Sequence, residues 1–137
     1  MAGWRDEIIE AAKTKAERDA EEAAKHTKRV EEALTTADAS VALAKEALGF
    51  ARDRLRDQQL EASLEDQPDK LRLGLRDFSL TVELARDSAI LKVTFGEGKP
   101  REFDFAKDRH IAPPDVEEYV GRRLVELVKA AQKAAPW

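Results

Sequence analysis

The first proline of this 137-residue chain is Pro68. Ahead of it, only Gly3 and Gly49 interrupt a run rich in Ala, Glu, Lys, Arg and Leu. Proline and glycine are the residues that stop or weaken a helix, and the rest of this run is made of good helix formers. The first half of the chain is therefore predicted to be helical.

The apolar residues within that run are sparse but regular. Alternating steps of four and three connect Val30, Leu34, Ala37, Val41, Ala44, Leu48, Ala51 and Leu55. Run backwards, the same register passes through Thr27, Ala23, Ala20, Ala16, Lys13 and Ile9, and forwards it reaches Gln58 and Ala62. This is a heptad pattern, strongest over 30–55, with a narrow seam between charged flanks. A helix with so thin an apolar stripe is marginal alone and is expected to bury that stripe against a partner helix, as a homodimer. Two geometries compete. One is a continuous helix of about 60 residues, roughly 90 Å long at 1.5 Å per residue. The other is a helical hairpin turning near 35–40, where Thr36, Asp38 or Ser40 would cap a second helix. The heptad runs through that segment without a slip and no Gly or Pro marks a turn, so the continuous helix is favoured.

Beyond Gln67-Pro-Asp69 the periodicity changes from 3.5 to 2. Leu71, Leu73 and Leu75 alternate with polar or small residues, as do Phe78, Leu80, Val82 and Leu84, with a slip of parity at Arg76-Asp77 that marks a bulge or tight turn. After a turn at Ala85-Arg-Asp-Ser88, the residues Ala89, Leu91, Val93 and Phe95 continue the pattern. Gly96-Glu-Gly-Lys-Pro100 then leads to Phe103 and Phe105. The pattern predicts an antiparallel meander of three or four strands, apolar on one face. Pro114 and the acids Asp115, Glu117 and Glu118 open a last helix, whose stripe is Val116, Val120, Leu124, Leu127 and Ala131, with Tyr119 and Val128 at its margins. The expected fold class is α+β. Residues 1–66 form a heptad helix for oligomerisation, and residues 67–137 form a small sheet packed on a C-terminal helix.

Composition narrows the chemistry. The chain has no cysteine, which removes disulfides, thiolate nucleophiles and thiolate-held zinc or iron–sulfur clusters. Net charge is −4, all of it from residues 1–65, where 15 acidic residues face 11 basic ones. With no basic face, phosphate neutralisation gives no reason to expect nucleic-acid binding. No apolar run approaches the roughly 20 residues of a membrane span, and the acidic residues near Met1 do not resemble a secretory leader, so a cytoplasmic location is expected.

No constellation of catalytic residues stands out. His26 has Glu22 one turn before it, but no third ligand is indicated. His110 lies near Asp104, Asp108 and Asp115 in sequence and is the one candidate for acid–base or ligand chemistry. The four serines occupy no nucleophile elbow, and Gly96-Glu-Gly98 fits a hairpin better than a phosphate loop. No cofactor, metal or catalytic residue is assigned. Trp4 and Trp137, at the two ends, are candidate anchors for a partner, and His110 is a further candidate partner contact.

The expected function is therefore non-enzymatic. The chain is read as a homo-oligomerising interaction protein that presents a small α+β domain to a protein partner, through an edge strand or the polar sheet face with Glu83, Lys92, Thr94 and Glu102. Two other readings remain open: a ligand-binding or catalytic pocket between sheet and last helix near His110, and a small acidic inhibitory binding protein of antitoxin or phage type.

Overall fold

A computed structural model describes residues 3–12 and 14–136. A short helix, α1 (Trp4–Ala11), precedes a helix of 43 residues, α2 (Lys15–Asp57). Five strands follow, β1 (Ala62–Gln67), β2 (Lys70–Leu75), β3 (Phe78–Ala85), β4 (Ile90–Phe95) and β5 (Arg101–Asp104). The chain closes on α3 (Pro113–Ala134). The fold class is α+β, with one more strand than the upper expectation.

α2 is continuous through 35–40, so the hairpin does not form. The residues proposed to cap it serve inside the helix instead. Ser40, fully buried, donates its hydroxyl to the Thr36 carbonyl at 2.8 Å, and Asp38 forms an ion pair with Arg86. The helix is shorter than expected at both ends. It starts at the cap Thr14, whose hydroxyl accepts the Glu17 N–H at 3.2 Å. It stops at Asp57, followed by Gln59 at φ 63°, a left-handed position usually taken by glycine or asparagine. At 1.5 Å per residue α2 spans about 64 Å.

β1 occupies residues that the heptad reading had assigned to the end of the helix. Ala62 is buried and Leu64 half-buried, and they pair opposite Leu75 and Leu73 of β2. Pro68 is thus not the helix stop but lies in the two-residue turn between β1 and β2, where Asp69 takes φ 64°.

The strands run in simple meander order, each antiparallel to its neighbour. The slip of parity at Arg76-Asp77 is the two-residue turn from β2 to β3. One sheet face is apolar: Leu71, Leu73, Leu75, Leu80, Val82, Leu84, Leu91, Val93 and Phe103 are all buried. The opposite face is polar and carries cross-strand charge pairs, Glu65 with Arg72 and Lys92 with Glu102.

α2 and α3 pack side by side on the apolar face, forming two layers. The α3 stripe is buried as expected, at Val116, Val120, Leu124, Leu127 and Ala131. On α2 the buried residues are Val30, Ala33, Ala37, Ser40, Ala44, Leu48 and Leu55. Five of the eight seam positions are thus buried, while Leu34, Val41 and Ala51 are half-buried against the same core. The premise that this stripe needs another chain to cover it is corrected. The chain's own sheet and α3 cover it, and residues from Val30 to Ala131 belong to one hydrophobic cluster.

Polar contacts fasten the layers at their margins. Arg86, in the turn after β3, bonds Asp38 of α2 at 2.7 Å and Asp69 of the first turn at 2.7 Å, which ties α2 to two sheet connections. Hydrogen bonds to Asp38 and then Asp69 hold its guanidinium more firmly protonated than an ordinary arginine. Lys45 of α2 reaches Asp66 of β1 at 2.6 Å. Arg76 donates to carbonyls at the C-terminal end of α3, where the helix dipole favours a cation. At the other edge, Phe103 meets Tyr119 edge-on at 5.5 Å, and Arg101 stacks over both rings. These contacts join β5 to α3.

Leu48 is fully buried at the centre of this packing. Leu48→Ala is expected to cost about 3 kcal/mol by loss of buried surface and the cavity it leaves, read from urea denaturation. Leu48→Lys should abolish cooperative unfolding in a monomeric sample, because the ammonium would have no partner in that core. Arg86→Ala should lower the melting temperature modestly. That difference should shrink as salt is raised, because both of its ion pairs are solvent-exposed.

Candidate functional site

The polar and aromatic candidates from the sequence do not converge. His110 is exposed, and its backbone N–H donates to the Asp108 carboxylate at 3.0 Å in a local turn. Asp104 and Asp115 are likewise used locally: Asp104 accepts the Lys107 N–H at 3.1 Å, and Asp115 accepts the Ala112 N–H at the start of α3 at 3.0 Å. A cavity of about 190 Å³ lies nearby, lined by residues of α2 and of the β5–α3 connection, but His110 is not part of its wall. His26 and Glu22 lie on an exposed turn of α2, and no group of three or more potential metal ligands occurs among the described residues. Trp137 lies outside the described residues. No described helix is long and apolar enough to cross a membrane.

Trp4 is different. It is 66% exposed, with Arg5 stacked at 5.3 Å from its ring centroid, and it shares α1 with Ile8 and Ile9, which are also exposed. No residue of α1 is buried. In the N-terminal part of α2, residues 15–29 are exposed throughout, so this stretch projects about 22 Å from the packed body at 1.5 Å per residue.

The feature that sequence reading missed is a groove of about 1220 Å³ between α2 and α3. No strand residue lines it, so it opens on the side of the helix pair away from the sheet. α2 contributes Glu46, Ala47, Phe50, Ala51, Arg54 and Leu55, and α3 contributes residues from Pro114 to Lys129. The lips are apolar and open to solvent, with Phe50 69% exposed and Val125 52% exposed. Glu46, Arg54, Glu117, Glu118, Arg122 and Lys129 place charges of both signs around an apolar floor.

Gly121 forms part of that floor, in the interior of α3. A glycine there costs about 1 kcal/mol relative to alanine. Packing within the chain does not require it, because a Cβ at Gly121 would have nothing within 4 Å. Its effect is to keep the groove deep between the two helices.

The sequence did contain a faint signal for this groove. Phe50 lies outside the heptad seam, and Val125 lies outside the stripe that α3 buries. Either residue alone reads as an ordinary exposed apolar side chain. Only the packing of α2 beside α3 puts them on one cleft. Elsewhere among the described residues, the exposed large apolar side chains are Trp4, Ile8 and Ile9, all on α1.

Comparison with protein-family models, with curated proteins and with solved structures returns no match. The functional reading therefore rests on the geometry of this chain.

If Phe50 and Val125 are surface residues of a groove, the double variant Phe50→Asp/Val125→Asp should melt within a few degrees of wild type. It should also bind less of a hydrophobic dye such as ANS. A collapse of the cooperative transition would instead place these side chains in the core.

Proposed function

We propose that the protein is a non-enzymatic interaction module whose docking surface is the α2–α3 groove, and that it receives an amphipathic helix from a protein partner. The observation that carries this reading is the pairing of exposed Phe50 and Val125 across a long apolar cleft with a charged rim. Helix-in-groove recognition uses this layout, in which apolar anchors at helical spacing fill the cleft and rim charges set orientation. A wide, open groove between parallel or antiparallel helices suits a rod-shaped ligand better than a small molecule, which favours an enclosed pocket.

Gly121 supports the same reading. It lowers helix stability without relieving any clash in the chain, and an incoming helix would gain close approach there. The polar sheet face is a less suitable surface, since Glu65 with Arg72 and Lys92 with Glu102 are engaged with each other across the strands. The pocket reading centred on His110 loses its support, because that side chain is exposed and lines no cavity described above. Self-association through the strongest part of the heptad seam has little free surface to use, because the chain's own core buries five of its eight positions and half-buries the other three. Association between copies has to involve other faces.

Selection from a displayed library of amphipathic helical peptides tests the proposal. Wild-type protein should enrich peptides with apolar residues at i, i+3 or i+4, and i+7. Their binding should fall at least tenfold for Phe50→Asp/Val125→Asp and for Gly121→Leu, which fills the groove without removing apolar surface. Equal binding to wild type and both variants would overturn the reading.

A further inference from the structure

The exposed large apolar residues of the described chain fall into two groups, Trp4, Ile8 and Ile9 on α1, and Phe50 and Val125 on the groove. The first group is what a helix-in-groove ligand should look like. Trp4 and Ile8 are four residues apart, so they stand on one face of α1, with Ile9 beside them. We propose that the occupant of the α2–α3 groove is α1 of a second copy of this chain, exchanged reciprocally to make an antiparallel dimer. This inference rests on the groove being a helix-docking surface and adds the identity of the helix.

The chain cannot satisfy its own groove. Thr14 and Phe50 are at opposite ends of one continuous helix, about 54 Å apart at 1.5 Å per residue. The three residues joining α1 to α2 span only about 10 Å when extended. α1 itself, as a helix of eight residues, is about 12 Å long. A second copy running antiparallel has no such restriction. With the two α2 helices crossing near Val30, midway between α1 and Phe50, each α1 falls beside the partner's groove. The arrangement is isologous and closes after two chains.

The area is sufficient for a stable pair. Aromatic side chains bury roughly 150–250 Å² each, so covering Trp4 and Phe50 with Ile8, Ile9 and Val125 removes on the order of 500–600 Å² per contact. Two such contacts remove about 1,000–1,200 Å², just at the ~1,200 Å² where specific interfaces begin. The crossing region adds to this. Residues 15–29, exposed throughout here, would lie along the partner's α2, where Thr35, Ala39 and Ala42 are exposed and small enough for close approach. A solitary projecting helix of that length is marginal in water, and such pairing would support it.

Sedimentation or light scattering on the full chain, from micromolar to about 200 μM, tests the proposal with two variants. Trp4→Asp/Ile8→Asp lacks the inserted helix face, and Phe50→Asp/Val125→Asp lacks the groove lips. Wild type should approach twice the 15.3 kDa chain mass. Each variant alone should remain monomeric, with a melting transition that shows it is folded. An equimolar mixture of the two should recover a heterodimer, weaker than wild type, because one α1-in-groove contact survives in it. A wild-type monomer throughout the range would overturn the dimer, as would a dimer indifferent to the α1 substitutions or a mixture that stays monomeric. If self-association fails while library peptides still bind wild type and not the groove variants, the docking function stands and only the identity of the occupant falls.

Discussion

Everything in this structure depends on one stripe of α2 finding apolar surface. The stripe is thin, built from Val30, Ala33, Ala37, Ala44, Leu48 and Leu55 around the satisfied hydroxyl of Ser40. Small residues contribute little buried area individually, but they let the helix approach closely enough that larger side chains opposite can close around it. The five-stranded sheet supplies those larger side chains, leucines and valines above all, and α3 supplies the flank. Without that stripe the meander would be left with half of its apolar face uncovered, and α3 would lose its neighbour.

The same packing generates the groove. Two helices laid side by side on a sheet bury their inward faces and leave a furrow between their outward faces. The depth of the furrow depends on what lines it. Ala47, Ala51 and Gly121 keep it open, while Phe50 and Val125 raise its lips. The proposed docking surface is thus a consequence of how the core is covered, on the reverse side of the residues that cover it. The long helix has a second consequence. Because only its C-terminal part is packed, it carries α1 well away from the body, where α1 meets no surface of its own chain.

Much of this was legible from residue order, and the exceptions have definite causes. The α3 stripe and strands β2 to β5 were readable because each has one buried face and a clean period. β1 was not readable. Its residues, Ala62 to Gln67, contain good helix formers and no breaker, and the helix ends at Asp57, just before a left-handed backbone turn at Gln59, a residue that does not advertise one. Local preference pointed to helix, and pairing with Leu73 and Leu75 of β2 overrode it. Among candidate site residues, Trp4 is exposed, while His110 is part of a local turn.

By itself, the sequence determined that α2 has one apolar face, that the strands share another, and that a chain without cysteine has no thiolate chemistry. It could not say what would cover the α2 face. A heptad stripe is the same pattern whether a second chain or the chain's own sheet lies against it, because periodicity records which side chains leave water and not what replaces the water. Only the tertiary structure decided that, by setting the sheet and α3 against residues 30–55. In doing so it covered most of the expected dimer seam and brought Phe50 and Val125, 75 residues apart, to the two sides of one groove.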